Sequence, residues 1–251
     1  MAYVSRQGTD KMVTTINLDG TYTDQRFNAG TNMLATAWSG SDLDGDGLED
    51  MVASSRDTLY LVSIDDADIS NITYTTLGSV TVGDTDGSNG TGGKVFAAGK
   101  DYNGDGVNDI IATKGGNSSG NRINIWDPTD GTQIASYNAD TCRGIGAAIW
   151  GEDQNGDGIE DLWVTDAYRN SIRAYDIANG GAYIGVVDLG ITLKSPQDMI
   201  KTEDGTVYIG TRFSSDLGEH TAGEAYGQLI KWDPVNGASL VLELTALRSH
   251  Q

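Results

Sequence analysis

The chain has 251 residues, enough for one large all-β domain or two small ones with a buried core. Its 34 glycines against 3 prolines, with abundant Thr, Ser, Asn and Asp, suit many short strands joined by tight turns, and no long stretch has apolar residues at helical spacing. A formal charge of −20 disfavours nucleic acid and anionic membrane surfaces as partners, and a lone cysteine, Cys142, rules out an internal disulfide or a cysteine-based zinc cluster.

The N-terminus, MAYVSRQGTD, lacks a basic start followed by an apolar core, so a signal peptide is expected to be absent or already removed. No run approaches the length of a transmembrane helix, and no membrane insertion is expected. The first predicted strand is AYVSR (2–6), followed by a hairpin over 11–27 with Asp19-Gly20 at its turn. Four further units each supply two strands and then a hairpin. The second pairs NMLATAW (32–38) and DMVASSR (50–56) with a hairpin over 59–77. The third has KVFAAG (94–99), DIIATK (109–114) and a hairpin over 121–137. The fourth has GIGAAIW (144–150), DLWVTD (161–166) and a hairpin over 170–186. The fifth has SPQDMIK (195–201), TVYIGTR (206–212) and a hairpin over 227–243.

Four strands in about 50 residues is the content of one β-propeller blade. The expected fold is therefore an all-β, single-domain propeller of four-stranded antiparallel blades, five in number, at 1–28, 32–80, 93–139, 144–190 and 193–245. The first unit lacks its first strand, and TALRSHQ (245–251) is left over where such a strand would begin. It either closes the ring on its own N-terminal blade or adds to the edge of a neighbouring molecule, which would drive self-assembly.

Between the first two strands of three units an acidic phrase recurs: DLDGDGLED from Asp42, DYNGDGVND from Asp101 and DQNGDGIED from Asp153, starting 59 and 52 residues apart. Positions 1, 3, 5 and 9 are Asp42, Asp44, Asp46, Asp50; Asp101, Asn103, Asp105, Asp109; and Asp153, Asn155, Asp157, Asp161. Position 6 is Gly47, Gly106 or Gly158, which permits a sharp turn. Oxygen ligands at alternate positions are what a hard cation of calcium's size requires. Position 7 (Leu48, Val107, Ile159) is expected to give its backbone carbonyl while its side chain plugs into the core, and the Asp at 9 to complete the shell. An EF-hand loop would place Glu at position 12, where this chain has Ala53, Ala112 and Val164. Bare, such carboxylates repel one another, so three Ca²⁺ sites are expected, structural in role and linking stability to calcium.

The pattern D-x-[DN]-x-D-G-x-x-D, set between a small-residue strand and an apolar one, resembles the FG-GAP/VCBS-type repeat found in the calcium blades of integrin α-subunit propellers. The resemblance spans roughly 32–190 and implies calcium ligation by the residues just named. It also implies an extracellular or cell-surface protein, where free calcium is high, that binds a glycan or protein, adheres, or assembles, without catalysis. The alternative it implies is a polysaccharide-processing enzyme or its carbohydrate-binding accessory domain. For that, the only residues on offer are His220 with Glu219, Glu224 and Tyr226, in a long polar segment (212–228) that could hold a sugar or metal or simply be a solvated loop. VGDTDGSNGTGG (82–93) imitates a calcium loop but has Gly92 where the last Asp belongs, and reads as a connector. Of the five tryptophans (Trp38, Trp126, Trp150, Trp163, Trp232), Trp38 with Trp150 and Trp126 with Trp232 recur at matched positions, which favours packing over sugar stacking.

Overall fold

The computed structural model describes residues 2–5, 13–16, 22–25, 35–38, 41–55, 58–64, 74–81, 94–97, 100–114, 121–139, 142–202, 204–213, 215 and 227–244. These residues are all-β, with no helix among them and hence none long and apolar enough to cross a membrane. Their strands form five antiparallel sheets, each built from consecutive segments. The first has three strands, β1 (Ala2–Ser5), β2 (Val13–Ile16) and β3 (Tyr22–Gln25). The second is β4 (Ala35–Trp38), β5 (Met51–Ser55), β6 (Thr58–Ile64) and β7 (Tyr74–Thr81). The third is β8 (Lys94–Ala97), β9 (Ile110–Lys114), β10 (Arg122–Trp126) and β11 (Gln133–Asn138). The fourth is β12 (Ala148–Trp150), β13 (Leu162–Asp166), β14 (Ser171–Asp176) and β15 (Ala182–Val186). The fifth is β16 (Pro196–Lys201), β17 (Val207–Thr211), β18 (Gly227–Asp233) and β19 (Gly237–Leu244). Each strand overlaps a segment that the sequence marks out, with β7 running four residues past the hairpin expected over 59–77. The closing segment 245–251, the 82–93 connector and residues 216–226 lie outside the described residues.

Two compact units divide the chain: Met1–Gly116 with Arg122–Ser136, and Asn117–Asn121 with Tyr137–Gln251. In the first, β1 lies beside β4 and β4 beside β8, so the leading strands of successive sheets are neighbours. Its core includes Met51, Val52, Leu61, Val62, Ile110, Ile111, Ile123, Ile125 and Trp126, apolar residues buried from β5, β6, β9 and β10. In the second unit β12 lies beside β16. There β13 is buried along its whole length, whereas the last strand of that sheet, β15, is half-buried or exposed. A strand covered on both faces needs apolar residues at consecutive positions, and Leu162-Trp163-Val164 supplies them. Trp163 reaches across to Trp232 of the next sheet, with ring centroids 5.4 Å apart, so both indoles and Trp126 serve packing.

The strand expected over 144–150 is the one most shortened, to Ala148–Trp150. The 144–150 segment pairs regularly only from Ala148, because the backbone N–H groups of Gly146 and Ala147 both donate to the buried Thr165 hydroxyl, at 2.8 and 2.9 Å. Gly146 also runs against the next sheet so closely that a Cβ there would lie 2.1 Å from the Gln197 carbonyl oxygen.

Candidate metal centre

Each acidic phrase forms a curled loop between the first and second strands of its sheet, at 42–50, 101–109 and 153–161. The curl is written by glycine at two positions. Besides position 6, position 4 (Gly45, Gly104, Gly156) also has positive φ, between +80° and +84°, and the position-6 glycines lie at +88° to +93°. L side chains rarely adopt this conformation. The position-4 glycine is present in all three phrases and was the readable signal that the position-6 reading passed over.

The loop's own N–H groups then turn onto its carboxylates in one repeated pattern. Asp42 Oδ1 accepts from Gly45 N–H at 2.6 Å and its Oδ2 from Gly47 N–H at 2.8 Å. Asp101 repeats this with Gly104 and Gly106 (2.6 and 2.8 Å), and Asp153 with Gly156 and Gly158 (2.6 and 2.7 Å). These donors, led by the position-6 glycine, hold all three position-1 carboxyls below the ordinary aspartate range. At position 3, Asp44, Asn103 and Asn155 accept from the N–H of Asp46, Asp105 and Asp157. At position 5, the same three aspartates accept from the N–H of Leu48, Val107 and Ile159.

Position 9 is the floor of the loop. Asp50, Asp109 and Asp161 are buried, and each accepts the position-2 N–H, from Leu43, Tyr102 and Gln154, at 2.6 Å. The other oxygen of Asp109 is buried with no hydrogen-bond partner among the described residues. Burial, and then the neighbouring Asp127, Asp101 and Asp105 carboxylates, push the Asp109 carboxyl up to about 6. Asp161 is raised for the same reasons, by burial and by Asp176, Asp153 and Asp157. In the first loop one carboxylate oxygen each from Asp42, Asp44 and Asp50 lies within 4.8 Å of the other two.

This donor set fits a divalent cation. It is all oxygen, which suits a hard ion, and the unpartnered Asp109 oxygen is an acceptor that the protein's own described donors leave unanswered. Asp42, Asp44, Asp46 and Asp50 would hold the ion in the first loop. Asp101, Asn103, Asp105 and Asp109 would do so in the second, and Asp153, Asn155, Asp157 and Asp161 in the third.

One expectation needs correction. The position-7 side chains do not plug into the core: Ile159 is 48% exposed, and Leu48 and Val107 are only half-buried. The two positive-φ glycines carry positions 4–6 to the surface, and the chain turns inward again only at the position-9 aspartate. Sequence reading also missed Asp127 and Asp176, which come from hairpin turns of the same sheets. Asp127 Oδ2 accepts from Asn103 Nδ2 at 3.0 Å, and Asp176 Oδ2 from Asn155 Nδ2 at 2.8 Å. The first and second loops also touch, through Asn108 N–H donating to Ser41 Oγ at 2.8 Å. His220, Glu219, Glu224 and Tyr226 lie outside the described residues.

Fold and loops together define an all-β protein of repeated sheets, three of which hold an aspartate loop. No family model and no curated protein matches the chain. Among solved structures it is similar to the crystal structure of Sqt1 from Chaetomium thermophilum, at 12% identity and a TM-score of 0.48, over 94% of this chain. The chain spans 65% of that neighbour's length.

Proposed function

We propose that this chain is a calcium-stabilised β-propeller of the FG-GAP/VCBS type, with five blades and three Ca²⁺ sites. It works outside the cytoplasm as a binding, adhesion or surface-assembly module without catalysis. The observation that carries the reading is the Asp109 oxygen, buried without a donor among the carboxylates of Asp101, Asp105 and Asp127. A divalent cation satisfies that oxygen and relieves the repulsion around it. Further support comes from the hydrogen-bond pattern, repeated three times, and from leading strands that neighbour one another within each unit. The three ions would bring the formal charge from −20 to −14. They would be structural, since each loop ties the first two strands of its sheet together and binds the ion only when folded.

Calorimetric titration of the chelated protein with Ca²⁺ tests the reading, with three equivalents bound and a rise in melting temperature as the expected result. No heat and no change in melting would refute it. A glycan array probed with and without calcium tests the binding role, and electron microscopy before and after deletion of 245–251 tests assembly by strand addition.

A further inference from the structure

The second and third loops differ from the first in one chemically consequential way: position 3 is an amide, Asn103 or Asn155, where the first loop has Asp44. A carboxylate offers an oxygen whichever way it rotates. An amide offers one in only one of its two orientations, and in the other it turns an NH₂ group toward the cation. Something must therefore hold the amide the right way round.

The network around Asn103 does so from both ends. Its Oδ1 accepts the Asp105 backbone N–H at 2.9 Å, a contact that only the oxygen can make. Its Nδ2 donates to Asp127 Oδ2 at 3.0 Å and to Asp105 Oδ2 at 3.1 Å, contacts that only the nitrogen can make. Asp127 stands at the end of β10 and is itself held. It is 6% exposed, and its Oδ1 accepts from Thr129 N–H at 2.7 Å and Thr129 Oγ at 2.6 Å. That leaves Oδ2 facing the amide. The third loop repeats the arrangement: Asn155 Oδ1 accepts from Asp157 N–H at 2.9 Å, and Nδ2 donates to Asp176 Oδ2 at 2.8 Å. Asp176 is again 6% exposed and anchored in its own turn by Asn179 N–H at 2.9 Å. The need for a cation beside this pair comes from a separate atom, the buried, unpartnered Asp109 oxygen.

We infer that Asp127 and Asp176 are positioning residues for the second and third calcium centres, each orienting the position-3 amide so that its carbonyl oxygen serves the ion. They also join each ion to the third and fourth strands of its sheet, so that calcium braces the outer hairpin as well as the first strand pair. The inference rests on the calcium reading. Partners that orient a metal ligand typically contribute about 10–100-fold in affinity.

The test uses the full chain labelled with ¹⁵N-glycine and titrated with Ca²⁺. The Gly106 amide donates to Asp101 at 2.8 Å and follows the second loop, while Gly47 and Gly158 follow the other two. Asp127→Asn keeps an oxygen for the Thr129 turn but sets NH₂ against NH₂. It should raise the Gly106 midpoint about 10–100-fold while leaving Gly47 and Gly158 unmoved. The exchanged pair, Asn103→Asp with Asp127→Asn, restores a donor opposite an acceptor and should return the midpoint to that of the unsubstituted chain. A Gly106 midpoint unmoved by Asp127→Asn, or a loss that the exchange fails to repair, overturns this inference alone. If calcium moves none of the three glycines in the unsubstituted chain, the calcium reading falls and this inference with it.

Discussion

Replacing Asp109 with Asn should move stability in opposite directions with and without calcium. In the metal-free chain the Asp109 carboxylate is buried, with one oxygen accepting from Tyr102 N–H at 2.6 Å and the other unpartnered. An amide keeps the first contact through its oxygen and turns an NH₂ toward the Asp101, Asp105 and Asp127 carboxylates. An unsatisfied buried polar group costs about 1–3 kcal/mol, so Asp109→Asn should stabilise the chelated protein by an amount of that order. For a chain of this size that is a rise of about 2–4 °C in Tm per kcal/mol. On the proposed calcium reading the sign should reverse in the presence of the ion, because the loop would lose a charged ligand. An ion present at a hundred times its Kd contributes about 2.7 kcal/mol, most of which the variant forfeits. The effect depends on pH in a defined direction. Because burial and its neighbours push Asp109 up to about 6 from 3.8, its contribution to metal-free stability is complete below about pH 3.8 and is lost as pH rises through about 6. The advantage of Asp109→Asn in chelator should therefore be small at pH 4 and full at pH 7. Differential scanning calorimetry in chelator and in millimolar Ca²⁺, at both pH values, reads all of this. A variant that melts below the unsubstituted chain in chelator at pH 7, or that calcium lifts equally, would refute the reasoning.

Other perturbations test the packing that holds the loops. Gly151→Ala would bring a Cβ to 2.2 Å from the ring of Trp163, which is fully buried and packed on Trp232. Overpacking should cost about 1–3 kcal/mol, read from the denaturant midpoint, and a neutral result would mean that this indole can move. Arg173→Met should cost about 3 kcal/mol by the same measurement. It removes the guanidinium whose Nε donates to fully buried Asp166 at 2.7 Å, leaving, among the described residues, backbone N–H groups and the partly exposed Arg169 to compensate. Cys142 is buried, its Sγ lies 3.2 Å from the Tyr175 hydroxyl, and burial pushes its thiol up to about 12. It should resist a disulfide reagent at pH 8 in the native chain and react once denaturant is added; rapid labelling of the native protein would contradict that burial.

Whatever depends on neighbours in the chain could be read directly from it. The 2-residue alternation of segments such as GQLIKWD (227–233), which appears in the fold as alternating burial along β18, located the strands. Asp-led turns closing on glycine located the hairpins, and Asp127 and Gly131 close one of them through a 3.0 Å backbone hydrogen bond. The aspartate loops were legible for the same reason, since their side-chain oxygens and their positive-φ glycines all fall within nine residues. Contacts between segments far apart in sequence were not. That Asn103 meets Asp127 and Asn155 meets Asp176 follows from how each hairpin folds back beside its own loop, and an aspartate at a turn otherwise looks like any turn former. The outward position of Ile159 and the shortened β12 belong to the same class, one set by the curl of a loop and the other by the buried Thr165 hydroxyl. Periodicity and turn chemistry act over a few residues and are written locally. Which buried acceptor meets which donor is decided only when separate strands come together, because the cost of leaving either one unpaired is incurred there.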